Sequence, residues 1–214
     1  MEILLYYAPN ACSLVPYFTL TEANANFEVR TLDLGKGQQN STDYLKLNPK
    51  HKVPLLVVDG RPLSENVAIQ IWIARTFPQA ELLPSDPWQE LRVISLLAWC
   101  ASGIHPYLIR INSTAKVCDL PNADTSVRRL AKALLFESYR IAETMLAGRA
   151  YFFDHFTAAD AHFLWCFRRG LQFDLDLSEF PSCAAHFERM KSRPSVQKVL
   201  AYEKSVQEEF AGAT

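Results

Sequence analysis

Apolar and polar positions change their period along this chain, and the changes divide it into elements. Residues 3–7, ILLYY, form a continuous apolar run, as a strand buried on both faces does. Over residues 13–24, Leu14, Tyr17, Phe18 and Leu20 recur at helical spacing, with Pro16 tolerated in the first turn. Residues 27–32 alternate and predict a second strand. The polar stretch 35–43 predicts a loop leading into a short helix near Tyr44 and Leu45. Asn48-Pro49-Lys50-His51-Lys52 is turn chemistry. Residues 54–58 then predict a strand, Asp59-Gly60 a hairpin turn, and residues 61–63 the returning strand. Ser64 is read as the cap of a helix reaching about Phe77, whose core face is Val67, Ala68, Ile71, Trp72 and Ala74. The order is βαβ followed by αββα.

Residues 78–87 carry Pro78, Pro84, Ser85, Asp86 and Pro87 and read as a linker. Beyond it the period stays helical, over about 88–112, 125–146, 157–173, 181–192 and 195–210. The expected fold class is therefore α/β plus all-α: a small α/β domain over 1–77, the linker 78–87, and a helical bundle over 88–214. No repeat or low-complexity segment interrupts this plan.

Composition narrows the function classes. A formal net charge of −1 leaves no electrostatic footprint for nucleic acid or an anionic membrane surface. No apolar run approaches the roughly 18 residues of a membrane span, and Met1-Glu2-Ile3 lacks a secretory signal's basic region, so a cytoplasmic location is expected. Cys12, Cys100, Cys118, Cys166 and Cys183 are odd in number and widely spaced, which argues against a disulfide framework and a zinc site. Neither they nor the histidines show metal-ligand spacing, and no metal is expected.

Three short stretches could carry chemistry. Cys12 lies where the first strand gives way to the first helix, and a helix N-terminus favours a thiolate; a buried, inert cysteine is the alternative. Val53-Pro54 opens a strand after a turn. It is either an ordinary trans bond or a cis one that leaves the Val53 backbone free to pair with an extended peptide. Ser64-Glu65-Asn66 is either a plain cap or a site for an α-amino acid head group, the helix N–H groups taking its carboxylate and Glu65 its ammonium.

Together these stretches resemble the cytosolic glutathione transferases, most of all their bacterial beta class. The resemblance rests on Tyr6-Tyr7-Ala8-Pro9 with Ala11-Cys12-Ser13-Leu14, on Asn48-Pro49-Lys50 with Val53-Pro54, and on residues 64–69, SENVAI. In the helical part it adds residues 156–161, FTAADA, and Arg193-Pro194-Ser195-Val196. It implies a thioredoxin-like domain that takes glutathione as co-substrate, with no metal. Glu65 and Asn66 would hold the γ-glutamyl group, Val53 beside Pro54 would pair with the cysteinyl unit, and Lys36 would reach the glycyl carboxylate. Cys12 would meet the glutathione sulfur and exchange disulfides with it. His105, from the long first helix of the helical domain, would assist as donor or base, with Ser102 a further glutathione contact; packing alone is the alternative for His105. Tyr7 carries little weight as a catalyst. Thr157 and Asp160 read as a buried capping box rather than a catalytic acid.

The resemblance further implies conjugation of glutathione to small hydrophobic electrophiles, a detoxifying role, and a homodimer. Departures from the family pattern keep other readings open. Pro106 follows His105 where lysine is common, which frees the Ser102 carbonyl and predicts a kink. Ala98 replaces an asparagine, His51-Lys52 replaces Gly-Gln, and Phe153 replaces a glycine. A binding or stress-regulatory protein without turnover, and a glutathione-dependent isomerase or dehalogenase, are the alternatives.

Overall fold

The apolar run at the N-terminus forms β1 (Ile3–Tyr7) at an inner position of a four-stranded sheet. It pairs in parallel with β2 (Glu28–Thr31) after the helix α1 (Leu14–Glu22), and antiparallel with β3 (Leu55–Val58). A short 3-10 turn, Gln38–Asn40, and α2 (Thr42–Leu47) separate β2 from β3. β4 (Arg61–Ser64) closes the order β2-β1-β3-β4. Asp59 and Gly60 both take positive φ, 46° and 77°, the geometry that matches a two-residue hairpin to strand twist. Leu5, Leu56, Leu14, Phe18, Leu20, Ile69 and Ile73 are buried, filling the layer between the sheet, α1 and the next helix.

That helix, α3 (Asn66–Thr76), differs from the expectation in start and facing. Glu65, not Ser64, is the residue before it, and Ser64 ends β4. Its buried side is Asn66, Ile69, Gln70, Ile73 and Ala74, while Val67, Ala68, Ile71 and Trp72 are only partly covered. The buried positions keep perfect helical spacing, but two of them are amides, so a reading by hydrophobicity turns the helix by one position.

The computed structural model describes residues 1–212, and they fall into two compact units: Met1–Leu83 with the stretch from Ser192 onward, and Pro84–Lys191. The last helix, α9 (Pro194–Gly212), thus packs with the first unit, although its sequence position suggests the helical one. Its anchor is chemical as well as apolar. Glu203, 1% exposed, accepts from the Tyr7 hydroxyl at 3.1 Å and from the Asn10 N–H at 2.7 Å. Tyr202 stacks edge-on against Tyr17 and shares a 2.8 Å hydrogen bond with Thr31. At the helix start, Arg193 and Ser195 both bind the Glu22 carboxylate. A buried carboxylate is kept only where such donors replace its water.

The second unit contains α4 (Pro87–Trp99), α5 (His105–Asn112), α6 (Asp124–Leu146), α7 (Ala158–Gln172) and α8 (Pro181–Lys191). Between α4 and α5 the expected kink takes the form of a π turn, Cys100–Ile104, with the His105 N–H reaching back to the Cys100 carbonyl. Pro106 has no N–H for the Ser102 carbonyl, so the helix widens just before it. The whole stretch Pro87–Asn112 is long and apolar enough to cross a membrane by length and composition, contrary to the expectation from apolar runs. Core helices share that property, and Val93, Leu97, Cys100, Ile104 and Leu108 are buried here. Tyr139, Phe163, Phe167 and Phe180 form the aromatic centre of the unit, and the Tyr139 hydroxyl donates to the Cys166 carbonyl at 2.9 Å.

Candidate active site

The first unit gathers Cys12, Val53, Pro54 and Asn66 through direct contacts. β1 ends at Tyr7, and the chain turns through Ala8-Pro9-Asn10, with Asn10 in the left-handed region at φ 62°. The Ser13 hydroxyl binds back to Ala8, accepting from its N–H at 3.0 Å, which folds the turn onto itself. Cys12 stands just outside α1, one residue before the flanking Ser13. Its Sγ donates to the Val53 carbonyl at 3.6 Å, and Asn66 Nδ2 donates to the Cys12 carbonyl at 3.0 Å. The Val53–Pro54 peptide is cis. Among the described residues no hydrogen bond uses the Val53 N–H.

A helix start favours a thiolate at Cys12, and the surroundings of the thiol act in the opposite direction. Loss of hydration pushes its thiol up to about 12, with the Glu65 carboxylate acting in the same direction. Its own backbone N–H, Lys52 and the Asn66 amide pull the other way by less. α1 begins beyond Cys12 and the thiol faces a carbonyl acceptor, so the helix end does not outweigh burial. At neutral pH Cys12 is an S–H donor.

Asn66 also differs from its expected part. Its amide nitrogen is spent on Cys12, and its Oδ1 is buried without a partner among the described residues. The first backbone N–H groups of α3 have no acceptor within the helix, the ordinary condition of a helix start, and can take an anion. Glu65 precedes them at φ 76°, exposed, and its Oε1 is 2.6 Å from Lys50 Nζ. Lys50 also donates to the Ser64 hydroxyl at 3.0 Å. Lys36 is held in its own loop by Asp33, whose Oδ1 accepts from its backbone N–H and whose Oδ2 lies 3.9 Å from its Nζ.

Ser102 and His105 belong to the second unit. The Ser102 hydroxyl donates to the Ala98 carbonyl at 2.8 Å. The partly exposed His105 ring meets Trp165 edge-on, with centroids 4.5 Å apart. Tyr7 is fully buried and bound to Glu203, in line with its low weight as a catalyst. Thr157 and Asp160 form the capping box that their spacing predicts. Reasoning from sequence missed Lys50 and Glu203 as partners of this region. Lys50 does lie in the Asn48-Pro49-Lys50 stretch on which the resemblance rests, whereas nothing in the local sequence marks Glu203.

Comparison with known proteins agrees with this geometry. Residues 1–75 match the family model described as glutathione S-transferase, N-terminal domain. The chain is 30% identical to glutathione S-transferase GstA of Escherichia coli O157:H7, over 93% of this chain and 98% of that protein. It is 32% identical to a probable maleylacetoacetate isomerase of Caenorhabditis elegans, over 84% of each. A solved sphingomonad glutathione S-transferase complexed with glutathione superposes with a TM-score of 0.83 at 28% identity, covering 95% of this chain and 99% of that one. A near-complete alignment with GstA, the matching N-terminal domain and the shared fold lead to one conclusion: the chain belongs to the glutathione S-transferase family.

Proposed function

We propose that this protein is a cysteine-type glutathione transferase of the beta class that conjugates glutathione to small hydrophobic electrophiles. The observation that carries the reading is the Cys12 thiol lying against Val53, whose N–H is unused, beside the first N–H groups of α3. An extended tripeptide fits that arrangement. Its cysteinyl unit pairs with the Val53 backbone, its γ-glutamyl head reaches Glu65 and the Asn66 N–H, and Lys36 takes the glycyl carboxylate. The family resemblance assigns His105 the part of hydrogen-bond donor or base and Ser102 that of a further polar contact with glutathione.

The protonation of Cys12 decides between two chemistries at this site. As an S–H donor it turns from the Val53 carbonyl to the glutathione sulfur and stabilises the thiolate that attacks the electrophile. Disulfide exchange follows a separate route. Deprotonated Cys12 attacks oxidised glutathione, forms a mixed disulfide and releases one glutathione thiolate; a second glutathione then displaces Cys12 as the oxidised dimer leaves. With the thiol near 12, that route is slow at neutral pH and quickens through pH 9–11. Linkage has the same sign. The unfolded thiol ionises at its ordinary value near 9.0 while the folded one does not, so this group's contribution to stability is intact below 9 and falls as pH rises toward 12.

The test combines calorimetric binding of glutathione, turnover of an aryl halide, and mass spectrometry after exposure to oxidised glutathione at pH 7 and pH 10. Expected are binding, turnover, and a Cys12 adduct that forms far faster at pH 10. An adduct forming equally fast at pH 7 contradicts the donor role. Binding without turnover of any electrophile leaves a regulatory or binding protein. The isomerase relative favours a second reading, glutathione-dependent isomerisation, which direct assay of maleylacetoacetate distinguishes. A cytoplasmic homodimer with a detoxifying role completes the proposal. Exposed Trp88 and Leu91 on α4, and Leu130, Leu134, Ile141 and Met145 on α6, supply apolar surface for it; light scattering reporting a monomer mass removes the dimer.

A further inference from the structure

We propose that Lys50 reads the γ-glutamyl head of glutathione, its ammonium holding the head's α-carboxylate while Glu65 holds the α-ammonium. The inference rests on the reading of this chain as glutathione-binding, and it adds a binding residue outside the set that the resemblance supplies. An α-amino acid head carries opposite charges on one carbon, so its best receptor presents the mirror pair side by side. Lys50 Nζ and Glu65 Oε1, 2.6 Å apart at the entrance to α3, are such a pair.

Two further observations place the carboxylate on Lys50. The Asn66 side chain, the obvious polar donor at the helix start, is turned inward to the Cys12 carbonyl and cannot serve. Glu65 itself repels an anion at the α3 N–H groups, and Lys50 is the cation that neutralises it there. The loop that presents Lys50 is built rather than loose. Asn48 accepts from the Lys50 N–H at 3.2 Å, and both Asn48 Nδ2 and the Tyr44 hydroxyl donate to the Lys52 carbonyl, at 2.7 and 2.6 Å. His51 takes φ 57° between them and binds Asn40 across 3.0 Å. The side chains of Lys50 and Glu65 are both more than half exposed, so their ion pair is a weak one that opens readily for a zwitterion.

The experiment measures dissociation constants for glutathione, for 4-aminobutyryl-cysteinyl-glycine, which lacks the α-carboxylate, and for glutaryl-cysteinyl-glycine, which lacks the α-ammonium. Lys50→Gln is expected to weaken glutathione about tenfold or more, as loss of a charge-assisted hydrogen bond does, and to leave 4-aminobutyryl-cysteinyl-glycine within twofold of wild type. Glu65→Gln is expected to show the converse, weakening glutathione but not glutaryl-cysteinyl-glycine. Lys50→Gln binding glutathione as well as or better than wild type overturns the proposal and makes Lys50 a competitor for Glu65. An equal loss for glutathione and for the analogue without the carboxylate overturns it too. A wild-type protein that binds none of the three peptides instead overturns the glutathione reading itself.

Discussion

Replacing Asp160 by alanine is expected to lower the unfolding free energy by about 3–5 kcal/mol, the cost of breaking a buried charged network from one side. The carboxylate is wholly buried and four donors converge on it. Oδ2 accepts from the Thr157 N–H at 2.8 Å and the Thr157 hydroxyl at 2.9 Å; Oδ1 accepts from the Phe152 N–H at 3.1 Å and from His186 Nε2 at 3.0 Å. Alanine leaves each of these donors in the interior with nothing to bind, and an orphaned buried donor costs about 1–3 kcal/mol. The same change removes the capping box that starts α7, the helix lining much of the second unit's core. Asp160→Asn retains the shape but turns two of the acceptor positions into donors, so it should lose less than alanine and more than 1 kcal/mol. Urea unfolding of the three proteins reads the difference. A loss below 1 kcal/mol for alanine would show that the network is dispensable.

Two residues along the same helix, His162 is the opposite case, and acid is expected to unfold the protein through it. The ring is fully buried, and neither nitrogen has a hydrogen-bond partner among the described residues. Burial first, and the neighbouring His105 second, hold its imidazole down to about 3. The unfolded ring protonates near its ordinary 6.5, whereas the folded one stays neutral. Between those values the unfolded state binds more protons, so stability is intact above pH 6.5 and falls by about 1.4 kcal/mol per pH unit toward pH 3. His162→Phe removes the titration and strands no partner, because the native imidazole has none to strand. The variant should keep its stability at pH 7 to within about 1.5 kcal/mol, the ordinary cost of a shape-conserving core exchange. Its acid limb should be shallower than that of wild type. Parallel acid limbs in denaturant titrations from pH 7 to pH 4 would rule out His162 as the titrating group.

The contrast between these neighbours bears on what a sequence reveals. Thr157-x-x-Asp160 is a local motif, since both partners sit on one helical turn, and its structural role was readable from spacing. His162 belongs to no such local motif. Its burial depends on how α7 packs in the second unit, where the sequence-distant His105 is one of its neighbours. Likewise the facing of α3 was misjudged by one position because Asn66 and Gln70 lie in the buried stripe. Period locates a stripe only when its members are apolar.

The candidate site divides in the same way. Cys12 before the first helix and Glu65 at the start of α3 stand where the sequence places them, while at Val53-Pro54 the sequence leaves trans and cis open and the bond is cis. Their chemical states are not legible there. Partial burial and the Glu65 carboxylate raise the pKa of Cys12, Asn66 spends its amide on the Cys12 carbonyl, and Glu65 already holds Lys50. Each of these outcomes joins residues separated by many positions, so no local pattern encodes it.

By itself, then, the sequence determined the order of strands and helices, the hairpin at Asp59-Gly60, the capping box and the family to which they belong. Local propensity and period act within a few residues of chain, and that is enough for such elements. Only the tertiary structure decided that α9 closes on the first unit through buried Glu203, and which face of α3 is covered. It also decided the protonation of Cys12. At the opening stretch, residue identity placed a cysteine beside a helix start, but desolvation and the sequence-distant Glu65 carboxylate raise its pKa and favour the protonated sulfur.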